Sequence, residues 1–481
     1  MDIDLLIGGR PVAAASGARF ERIDPVLGGV ATRAAAASVE DAARAAEAAA
    51  AAFPAWSGLG PSARRAALMK AADLLDAAAP QFVEAMTCET GATAAWAGFN
   101  VKLAAGMLRE AAAMTTQISG EVIPSDKPNC LAMAIRKPAG VCLGIAPWNA
   151  PVILGVRALA MPLACGNTVV LKASEACPAT HWLIGKTLQD AGLPPGTVNV
   201  VTNAPADAGA VVGALIAHPA VRRVNFTGST RVGRIIAETA GRHLKPVLLE
   251  LGGKAPLIVL DDADLDAAVD GAAFSAFMNQ GQICMSAERV IVQEAIADAF
   301  MEKFAAKAAR LRAGDPRQGK TPLGSLVGQE AVAHVQALVE DAKAKGAVVR
   351  SGGAAQGALM DATVVDGVTP DMRIYHEESF GPAISVVRVK DEDEAVRIAN
   401  DTEYGLSSAV FSKNIDRALS VAQRIESGIC HINGPTVADE AQMPFGGVKA
   451  SGYGRFGGKA AIAEFTDLRW ITIERDQHYP F

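Results

Sequence analysis

A short apolar run, a glycine turn and a helical pattern follow one another in residues 223–240, RVNFTGSTRVGRIIAETA. The same alternation repeats on both sides of this stretch. We predict strands at residues 141–146, 168–171, 198–202, 223–226 and 247–251, and helices at 152–163, 178–191, 208–217 and 230–240. Strands separated by about 10–15 helical residues indicate right-handed crossovers and a parallel sheet that is covered on both faces. This topology is typical of a nucleotide-binding domain, although a fold by itself does not establish a function.

A second alternating region follows the first. We predict strands at residues 257–260, 290–292, 348–351, 383–389 and 408–412, and helices at 264–278, 294–313 and 328–345. Nearer the start, Ser38 and Asp41 have the spacing of a capping box before a helix that extends to about residue 52, and another helical pattern covers 61–79. The tail has a strand-like run at 465–474. The chain is therefore predicted to be an α/β protein.

Composition and charge exclude several classes of protein. Half of the 481 residues are apolar and a fifth are charged, which excludes disorder as the main state. The 45 Lys and Arg residues against 51 Asp and Glu give a net charge of −6, so the basic stripe of a nucleic-acid-binding protein is missing. No segment offers the ~20 uninterrupted apolar residues that cross a bilayer, and we expect no membrane partner either.

The cysteines and the amino terminus bear on compartment and metal content. Seven cysteines, an odd set without a CxxC pair, predict neither a disulfide framework nor a zinc site. No HExxH motif or Cys/His cluster is present, and we expect no metal. The acidic start Met1-Asp2-Ile3-Asp4 lacks the basic character of a secretory or mitochondrial leader. These features predict a cytoplasmic protein.

The polar turn Asn279-Gln280-Gly281-Gln282-Ile283-Cys284 presents a cysteine between a predicted helix and a predicted strand. A free cysteine is usually buried and inert, and packing is the plain alternative for Cys284. Backbone amides around a thiol on such a turn can leave it partly exposed and lower its pKa, as a nucleophile requires. The other six cysteines lie in less distinctive, mostly apolar settings, and we interpret them as structural.

A carboxylate stands at the carboxyl end of a predicted buried strand in Leu249-Glu250-Leu251-Gly252-Gly253-Lys254. Such a group is costly to bury unless it is used or paired, and ligands bind at this end of parallel sheets. Desolvation would raise the pKa of Glu250 toward neutrality and suit the carboxyl to general-base work. The alternative is a structural ion pair with Lys254 or another cation.

An asparagine lies between two prolines in the turn Pro147-Trp148-Asn149-Ala150-Pro151, which follows the first strand of the parallel sheet. Its side-chain amide could donate a hydrogen bond into the cleft, as one half of an oxyanion hole. The alternative for Asn149 is an Asx turn.

Two further turns suggest a bound dinucleotide. Gly228, Ser229 and Gly233 surround a predicted helix N-terminus, where free amides and the helix dipole favour a pyrophosphate. Lys172 and Glu175 follow the second strand and could bracket a ribose, although solvated surface charge is the simpler interpretation of that pair.

Together these motifs resemble the NAD(P)-dependent aldehyde dehydrogenase superfamily over essentially the whole chain. The resemblance is carried by Pro147-Trp148-Asn149, Lys172-Ala173-Ser174-Glu175, Phe226-Thr227-Gly228-Ser229-Thr230, Leu249-Glu250-Leu251-Gly252-Gly253-Lys254, Gly281-Gln282-Ile283-Cys284, Glu378-Ser379-Phe380-Gly381-Pro382 and Pro444-Phe445-Gly446-Gly447-Val448-Lys449. Several such motifs in the right order are highly specific.

The resemblance implies roles for individual residues. Cys284 would be the nucleophile, Glu250 the base that activates the deacylating water, and Asn149 an oxyanion donor. The implied cofactor contacts are Ile145, Trp148, Lys172, Glu175, Gly228, Ser229, Gly233, Leu251, Glu378 and Phe380. Glu175 favours NAD over NADP, because a carboxylate accepts from a 2′-hydroxyl and repels a 2′-phosphate.

For the substrate, the sequence is similar to the superfamily branch that acts on salicylaldehyde and vanillin, and an aromatic aldehyde that is salicylaldehyde-like is favoured. Arg157 follows Asn149 by about two helical turns and could bind a ring hydroxyl, or else form an ion pair that ties its helix to a neighbour. Trp96, Ile283 and Met285 could line an apolar channel, or belong to helical core packing.

Several alternatives remain open from the sequence. Vanillin, benzaldehyde or an aliphatic semialdehyde could be the substrate, and a CoA-acylating enzyme is disfavoured because that chemistry has no use for Glu250. A non-catalytic binding protein that keeps the fold is the alternative of another class.

The superfamily also implies the division of the chain. A Rossmann-like cofactor domain would comprise residues 1–115 and 139–250, and an α/β catalytic domain residues 251–465. Residues 116–138 and 466–481 would form a small oligomerisation sheet that bridges to a neighbouring subunit in a homodimer or homotetramer, since an exposed strand edge invites pairing.

Overall fold

The structure is a computed structural model that describes residues 1–475, 479 and 481. The chain begins with five short strands, β1 (Asp2–Ile3), β2 (Leu5–Ile7), β3 (Arg10–Val12), β4 (Arg19–Ile23) and β5 (Val30–Ala35). Four helices follow: α1 (Val39–Ser57), α2 (Pro61–Ala77), α3 (Ala79–Thr90) and α4 (Ala94–Met114). The Ser38 capping box is confirmed: its side chain accepts from the Asp41 N–H, and the Asp41 carboxylate accepts from the Ser38 N–H. The helix predicted at 61–79 is confirmed as α2.

Two antiparallel strands, β6 (Glu121–Ile123) and β7 (Cys130–Pro138), precede the alternating region. That region comprises β8 (Val141–Ile145), α5 (Pro151–Ala164), β9 (Thr168–Lys172), α6 (Pro178–Asp190), β10 (Val198–Val201), α7 (Ala208–Ala217), β11 (Val221–Thr227), α8 (Thr230–Arg242) and β12 (Val247–Glu250). Every strand and helix predicted here is confirmed to within about two residues at each end.

The second alternating region contains β13 (Ala255–Val259), α9 (Leu265–Phe277), β14 (Ala287–Gln293), α10 (Glu294–Ala308), α11 (Gln329–Ala344), β15 (Val348–Ser351), β16 (Ala355–Gln356), β17 (Leu359–Met360), β18 (Thr363–Asp366), α12 (Arg373–His376), β19 (Ala383–Val389), α13 (Glu392–Asn400), β20 (Ser407–Phe411), α14 (Ile415–Ala422) and β21 (Ile429–Ile432). The chain closes with β22 (Gly452–Tyr453), α15 (Ala460–Glu464) and β23 (Thr466–Glu474). The helix predicted at 294–313 was too long. Backbone bonds of the i→i+3 type at Arg310 and Leu311 close α10 before Gly314 and Pro316.

The first large sheet has the strand order β22-β12-β11-β8-β9-β10-β2-β3. Its five central strands are parallel, as predicted, but β22, β2 and β3 pair antiparallel at the edges. Because β9 and β10 extend from β8 to one side and β11 and β12 to the other, the strand order reverses next to β8. In open α/β sheets ligands bind at the carboxyl ends of the strands at such a reversal.

The second large sheet has the order β15-β18-β19-β14-β13-β20-β21 and is parallel apart from its β15 edge. A third, small sheet joins β23, β7 and β6, and β23 pairs with β7 along its whole length. The predicted tail strand is therefore confirmed. The part of the proposed bridging segment at residues 476–478 and 480 lies outside the described residues.

Helix α5 shows how tightly the core surrounds the site. All of its residues are buried, from Pro151 to Ala164, and Arg157 is its one charged residue. A guanidinium in such surroundings needs a partner of opposite charge, because an unpaired buried charge is expensive.

In the described part of the chain, no helix has the length and apolar character that crossing a membrane requires.

Candidate active site

Two cavities lie along the carboxyl ends of the first sheet, and a third adjoins them. The outer cavity, of ≈ 510 Å³, is lined among others by Ile145, Lys172 and Glu175. The inner cavity, of ≈ 350 Å³, is lined among others by Glu250 and Glu378. Trp148, Gly228 and Ser229 line both of these cavities, so the two form one cleft.

The apolar cavity, of ≈ 490 Å³, lies on the other side of the inner one. Cys284 and Asn149 line both the inner and the apolar cavity. A molecule in the apolar cavity and a molecule in the inner cavity would therefore meet at the same sulfur atom.

The turn that carries Cys284 has an unusual backbone. Asn279, Gln280 and Gly281 have positive φ angles of 49°, 56° and 71°, a conformation that costs energy in residues other than glycine. Gly281 is also needed for space, since a Cβ there would stand 2.1 Å from the carbonyl oxygen of Gly381. The sequence motif is thus explained by a tight turn pressed against a second loop.

Buried amide side chains hold this turn in place. Gln280 donates to the carbonyl of Ser325 at 2.9 Å and accepts from the N–H of Gly324 at 2.9 Å. Gln282 accepts from the N–H of Val327, also at 2.9 Å. Both glutamines are thus committed to the loop at 323–327, which stabilises the strained backbone.

The same turn positions Asn149. The Asn149 side-chain amide donates to the carbonyl of Gln282 at 3.0 Å, and the Asn149 carbonyl accepts from Trp96 Nε1 at 3.0 Å and from Asn279 Nδ2 at 2.9 Å. One N–H of the Asn149 amide therefore orients the group, and its second N–H remains for a ligand. The Asx-turn alternative is not what the structure shows, because these bonds are long-range.

The electrostatics of Cys284 differ from the prediction. Its side chain is half-buried, and the pKa of the thiol is raised well above its ordinary value, first by burial and then by the nearby Glu250 carboxyl. The expected lowering of the Cys284 pKa is therefore wrong. Arg157 acts in the opposite sense on this pKa, but it does not outweigh burial.

Glu250 behaves as predicted. It is 1% exposed, and burial raises its pKa to about 7, with smaller opposing contributions from Cys284 and Arg157. The alternative ion pair with Lys254 is wrong, because Lys254 donates to Glu288 at 2.7 Å and to the carbonyl of Glu377 at 2.6 Å. Within the described chain no residue other than Cys284 acts on the Glu250 carboxyl by a hydrogen bond, so the carboxyl is not committed to a structural partner.

The outer cavity contains the predicted ribose pair. Lys172 and Glu175 form an ion pair, and Asn203 donates to Glu175 at 2.9 Å. Ser229 is the N-cap of α8 and accepts from the Val232 N–H, so the first turn of this helix faces the cleft. Gly228 lines the cleft as well.

Gly233 and Leu251 shape the cleft from behind. A Cβ on Gly233 would stand 2.5 Å from a methyl carbon of Leu251. The absence of a side chain at Gly233 therefore allows α8 to pack closely against Leu251. Neither is among the described residues that line the two cavities, and their predicted contacts with a cofactor stay predictions.

Glu378 and Phe380 close the inner cavity. Glu378 accepts from the Gly253 N–H at 2.8 Å, and burial raises the pKa of its carboxyl to about 8. Phe380, with a positive φ of 46°, lies edge-on to Trp148 with ring centroids 5.8 Å apart.

The apolar cavity contains all four predicted substrate residues, Trp96, Arg157, Ile283 and Met285. The Trp96 ring stacks on Phe99 with centroids 5.5 Å apart. Arg157 does form an ion pair, with Asp439, and its guanidinium lies 4.2 Å from the ring centroid of Phe445. The ion-pair interpretation of Arg157 is therefore confirmed. Because the paired guanidinium also lines the cavity, its binding of a ring hydroxyl stays a prediction.

Sequence reasoning missed two histidines. His181 is fully buried and accepts from the Ser174 N–H at 3.0 Å while donating to the Pro151 carbonyl at 3.1 Å, so it connects the Lys172–Glu175 turn to the Asn149 turn. Burial lowers the pKa of His181 to about 3. His334 lines the inner cavity and donates to the carbonyl of Glu378 at 3.1 Å. Both contacts join residues that are apart in the chain, and no local pattern indicates them.

No group of three or more His, Cys, Asp or Glu side chains is arranged to hold a metal ion in residues 1–475, 479 and 481. The chemistry available at the site is that of a thiol, a carboxyl of raised pKa and amide donors.

The chain is similar to known proteins over nearly its whole length. A family model described as "Aldehyde dehydrogenase family" matches residues 12–471. The chain is 62% identical to a vanillin dehydrogenase of Pseudomonas fluorescens, over 100% of both chains. It resembles the crystal structure of a salicylaldehyde dehydrogenase from Pseudomonas putida G7 complexed with salicylaldehyde, with a TM-score of 0.98 and 52% identity over 100% of both chains. It also resembles PnpE in complex with nicotinamide adenine dinucleotide, with a TM-score of 0.96, 38% identity, and coverage of 100% of this chain and 99% of that one.

The geometry of the cysteine turn predicts the effect of Gly281→Ala. The added Cβ would clash with the carbonyl oxygen of Gly381, and alanine would have to adopt the left-handed backbone conformation of residue 281. We therefore expect the free energy of unfolding in urea to fall by about 1–3 kcal/mol. The rate at which iodoacetamide alkylates Cys284 should change at the same time, because the turn must move. Gly106→Ala is the matched control, since Gly106 lies in α4 with open space around its Cβ position. Equal unfolding energies for the two variants would contradict this account of the turn.

Proposed function

The chain belongs to the aldehyde dehydrogenase family, and on this premise we propose that it oxidises an aromatic aldehyde to the carboxylic acid with NAD⁺ as hydride acceptor. The observation that carries the proposal is the position of Cys284 and Asn149, which line the inner and the apolar cavities together. Aromatic and aliphatic side chains dominate the apolar cavity, whose ≈ 490 Å³ is ample for a substituted benzene ring.

Two substrates are candidates for separate reasons. Salicylaldehyde is the ligand of the solved structure at 52% identity, and vanillin gives its name to the relative at 62% identity. Both are benzaldehydes that carry a ring hydroxyl. A panel of benzaldehyde, salicylaldehyde, vanillin, succinic semialdehyde and acetaldehyde, followed by NADH absorbance, ranks the candidates, and preference for an aliphatic aldehyde would contradict the proposal.

The outer and inner cavities fit a dinucleotide. We infer that the Lys172–Glu175 pair takes the adenosine ribose and the start of α8 at Ser229 takes the pyrophosphate, since helix N-termini favour anions. Glu378 is placed to take the nicotinamide ribose, with Trp148 and Phe380 beside it. Bound NAD⁺ would supply the acceptor for the hydride that leaves the aldehyde carbon.

The chain's own residues then carry the covalent steps. The Cys284 sulfur adds to the carbonyl carbon, and because its pKa is raised, the thiol loses its proton as it attacks, with Glu250 as the base within reach. The second N–H of the Asn149 amide and the Cys284 backbone N–H stabilise the oxyanion. After loss of hydride the product is a thioester on Cys284. Once the Glu250 carboxyl has released the thiol proton to solvent, it takes a proton from water, which attacks the thioester; the sulfur leaves as a thiolate and regains a proton as the acid is released.

The same site argues against the alternatives. A CoA-acylating enzyme needs no base for water, whereas Glu250 is buried here and its pKa is raised to about 7. A binding protein without catalysis would have no need for a strained turn that holds the sulfur between two cavities.

We retain the division into a cofactor domain (1–115 and 139–250), a catalytic domain (251–465) and a bridging segment (116–138 and 466–481). The sheet of β6, β7 and β23 supports a homodimer or homotetramer, because it exposes several large apolar side chains: Val122, Ile123, Leu131, Leu468, Trp470 and Ile473. Exposed apolar patches of this kind mark contact surfaces. All seven cysteines are free, which supports a reducing compartment, the cytoplasm.

Replacing the nucleophile is the first test of this mechanism. We expect Cys284→Ala to abolish NADH formation from any aldehyde, because no other group can form the thioester. Cys430→Ala is the control, since Cys430 is the exposed cysteine and lies on β21, away from the cavities. Near-normal turnover by the Cys284→Ala protein would refute the assignment.

The raised pKa of Glu250 predicts a pH dependence. The carboxyl must be ionised to take a proton, so thioester hydrolysis should rise with pH through about 7. Glu250→Gln should flatten this rise and lower turnover by roughly 10²–10⁴. In stopped-flow traces the Glu250→Gln change should slow thioester hydrolysis more than it slows the initial rapid formation of NADH, because water is a far weaker acid than a thiol.

Glu378→Gln is the matched control for that experiment, because Glu378 lies in the same cavity and its pKa is also raised, to about 8. It should weaken NAD⁺ binding but keep the rise through about 7. If the Glu250→Gln protein keeps the increase of thioester hydrolysis with pH and the Glu378→Gln protein loses it, the base is wrongly assigned.

The choice of cofactor depends on Glu175. Its carboxylate borders the outer cavity and would repel a 2′-phosphate, so we propose that NAD is preferred over NADP. Glu175→Gln should lower the ratio of kcat/KM with NAD to kcat/KM with NADP by about tenfold. Glu238→Gln, an exposed glutamate on α8, should leave the ratio unchanged. A wild-type enzyme that prefers NADP would contradict the proposal.

A further inference from the structure

The charged groups around the apolar cavity are few and unbalanced. Among its described lining residues, one cation, Arg157, stands against two carboxylates, Asp439 and Glu440. A third carboxylate, Glu110, joins these residues around a small void of ≈ 20 Å³ behind the ion pair. The wall of the cavity therefore carries more negative than positive charge.

The one cation is already paired with a carboxylate, through a single hydrogen bond from Arg157 Nη2 to Asp439 Oδ2. The Arg157 guanidinium pairs with Asp439, both side chains are less than a tenth exposed, and the guanidinium also lies over the Phe445 ring at 4.2 Å. A partly desolvated cation gains from each of these contacts. A carboxylate on a substrate would have to compete with Asp439 for this charge.

We propose that Asp439 is a specificity-determining residue that restricts the cavity to uncharged aldehydes, by neutralising Arg157 and so denying it to a substrate carboxylate. This inference rests on the proposed function, which it deepens by naming the substrate class. It assigns Arg157 to the wall of a neutral binding site and excludes aldehydes that bear a carboxylate, such as semialdehydes and formylbenzoates.

The physical reason is the cost of burying an unpaired anion. A carboxylate that leaves water for an apolar cavity without a cation pays a large desolvation penalty, and neighbouring carboxylates add repulsion. A phenolic hydroxyl that keeps its proton is neutral and does not meet this barrier. Hydroxylated benzaldehydes therefore enter a cavity that rejects carboxylated ones.

The test compares two aldehydes of matched shape, 4-formylbenzamide, which is neutral, and 4-formylbenzoate, which is anionic. For the wild-type protein we expect kcat/KM to favour the amide by roughly ten- to a hundredfold. Equal kcat/KM values for the two aldehydes would overturn the inference, and this comparison needs no variant to fold. If neither 4-formylbenzamide nor benzaldehyde is oxidised, the proposed function fails instead.

Variants locate the effect at Asp439. Asp439→Asn frees the charge of Arg157 and should shrink the preference for the amide by about tenfold, mainly through a lower KM for 4-formylbenzoate. The double variant Arg157→Met with Asp439→Asn removes both charges, a change that buried pairs tolerate, and should restore the preference. Glu440→Gln, at an exposed position of the same wall, should shift the ratio in the same direction by less. If Asp439→Asn lowers kcat/KM for both aldehydes alike, Asp439 is only structural and the inference is wrong.

Discussion

The site depends on a short segment of backbone that is forced into a left-handed conformation. Asn279, Gln280 and Gly281 all have positive φ, and this places the Cys284 sulfur where two cavities meet. Such strain persists only when the surroundings over-determine it. Here the Gln280 side chain and the contact of Gly281 with Gly381 supply that constraint. The Asn149 amide, which we propose as an oxyanion donor, is hydrogen-bonded to this turn.

Burial sets the chemistry of the groups around the sulfur. It raises the pKa of Glu250 to about 7 and that of Glu378 to about 8, and it raises the pKa of Cys284 as well. Burial keeps the Cys284 thiol protonated, and the neighbouring Glu250 carboxyl titrates near neutrality. We therefore expect a proton to pass from the thiol to this carboxyl during the reaction. In the apolar cavity, the same desolvation makes the Arg157–Asp439 pair favour uncharged aldehydes over aldehydes that carry a carboxylate.

The sequence predicted those parts of the structure that depend on local patterns. The five parallel strands of the first sheet with their helices, five strands of the second sheet and the Ser38 capping box could be predicted in this way, and so could the positions of Asn149 and Glu250 at the ends of β8 and β12. The strands β18 and β21 and the helices α13 and α14 were not predicted. The partner of Arg157 could not, because Asp439 lies 282 residues further along the chain. The pKa of Cys284 was predicted in the wrong direction, since burial by distant segments outweighs the local amides. His181 was missed for the same reason, because its two partners belong to separate turns.

The central claim is that the Cys284 sulfur forms a bond to the aldehyde carbon while that carbon faces the cofactor. Mass spectrometry of the Glu250→Gln protein, quenched in acid after mixing with benzaldehyde and NAD⁺, tests it most directly. We expect a benzoyl group on the peptide that contains Cys284, and no such group when NAD⁺ is omitted. A benzoyl group on another cysteine, or none while NADH accumulates, would contradict it.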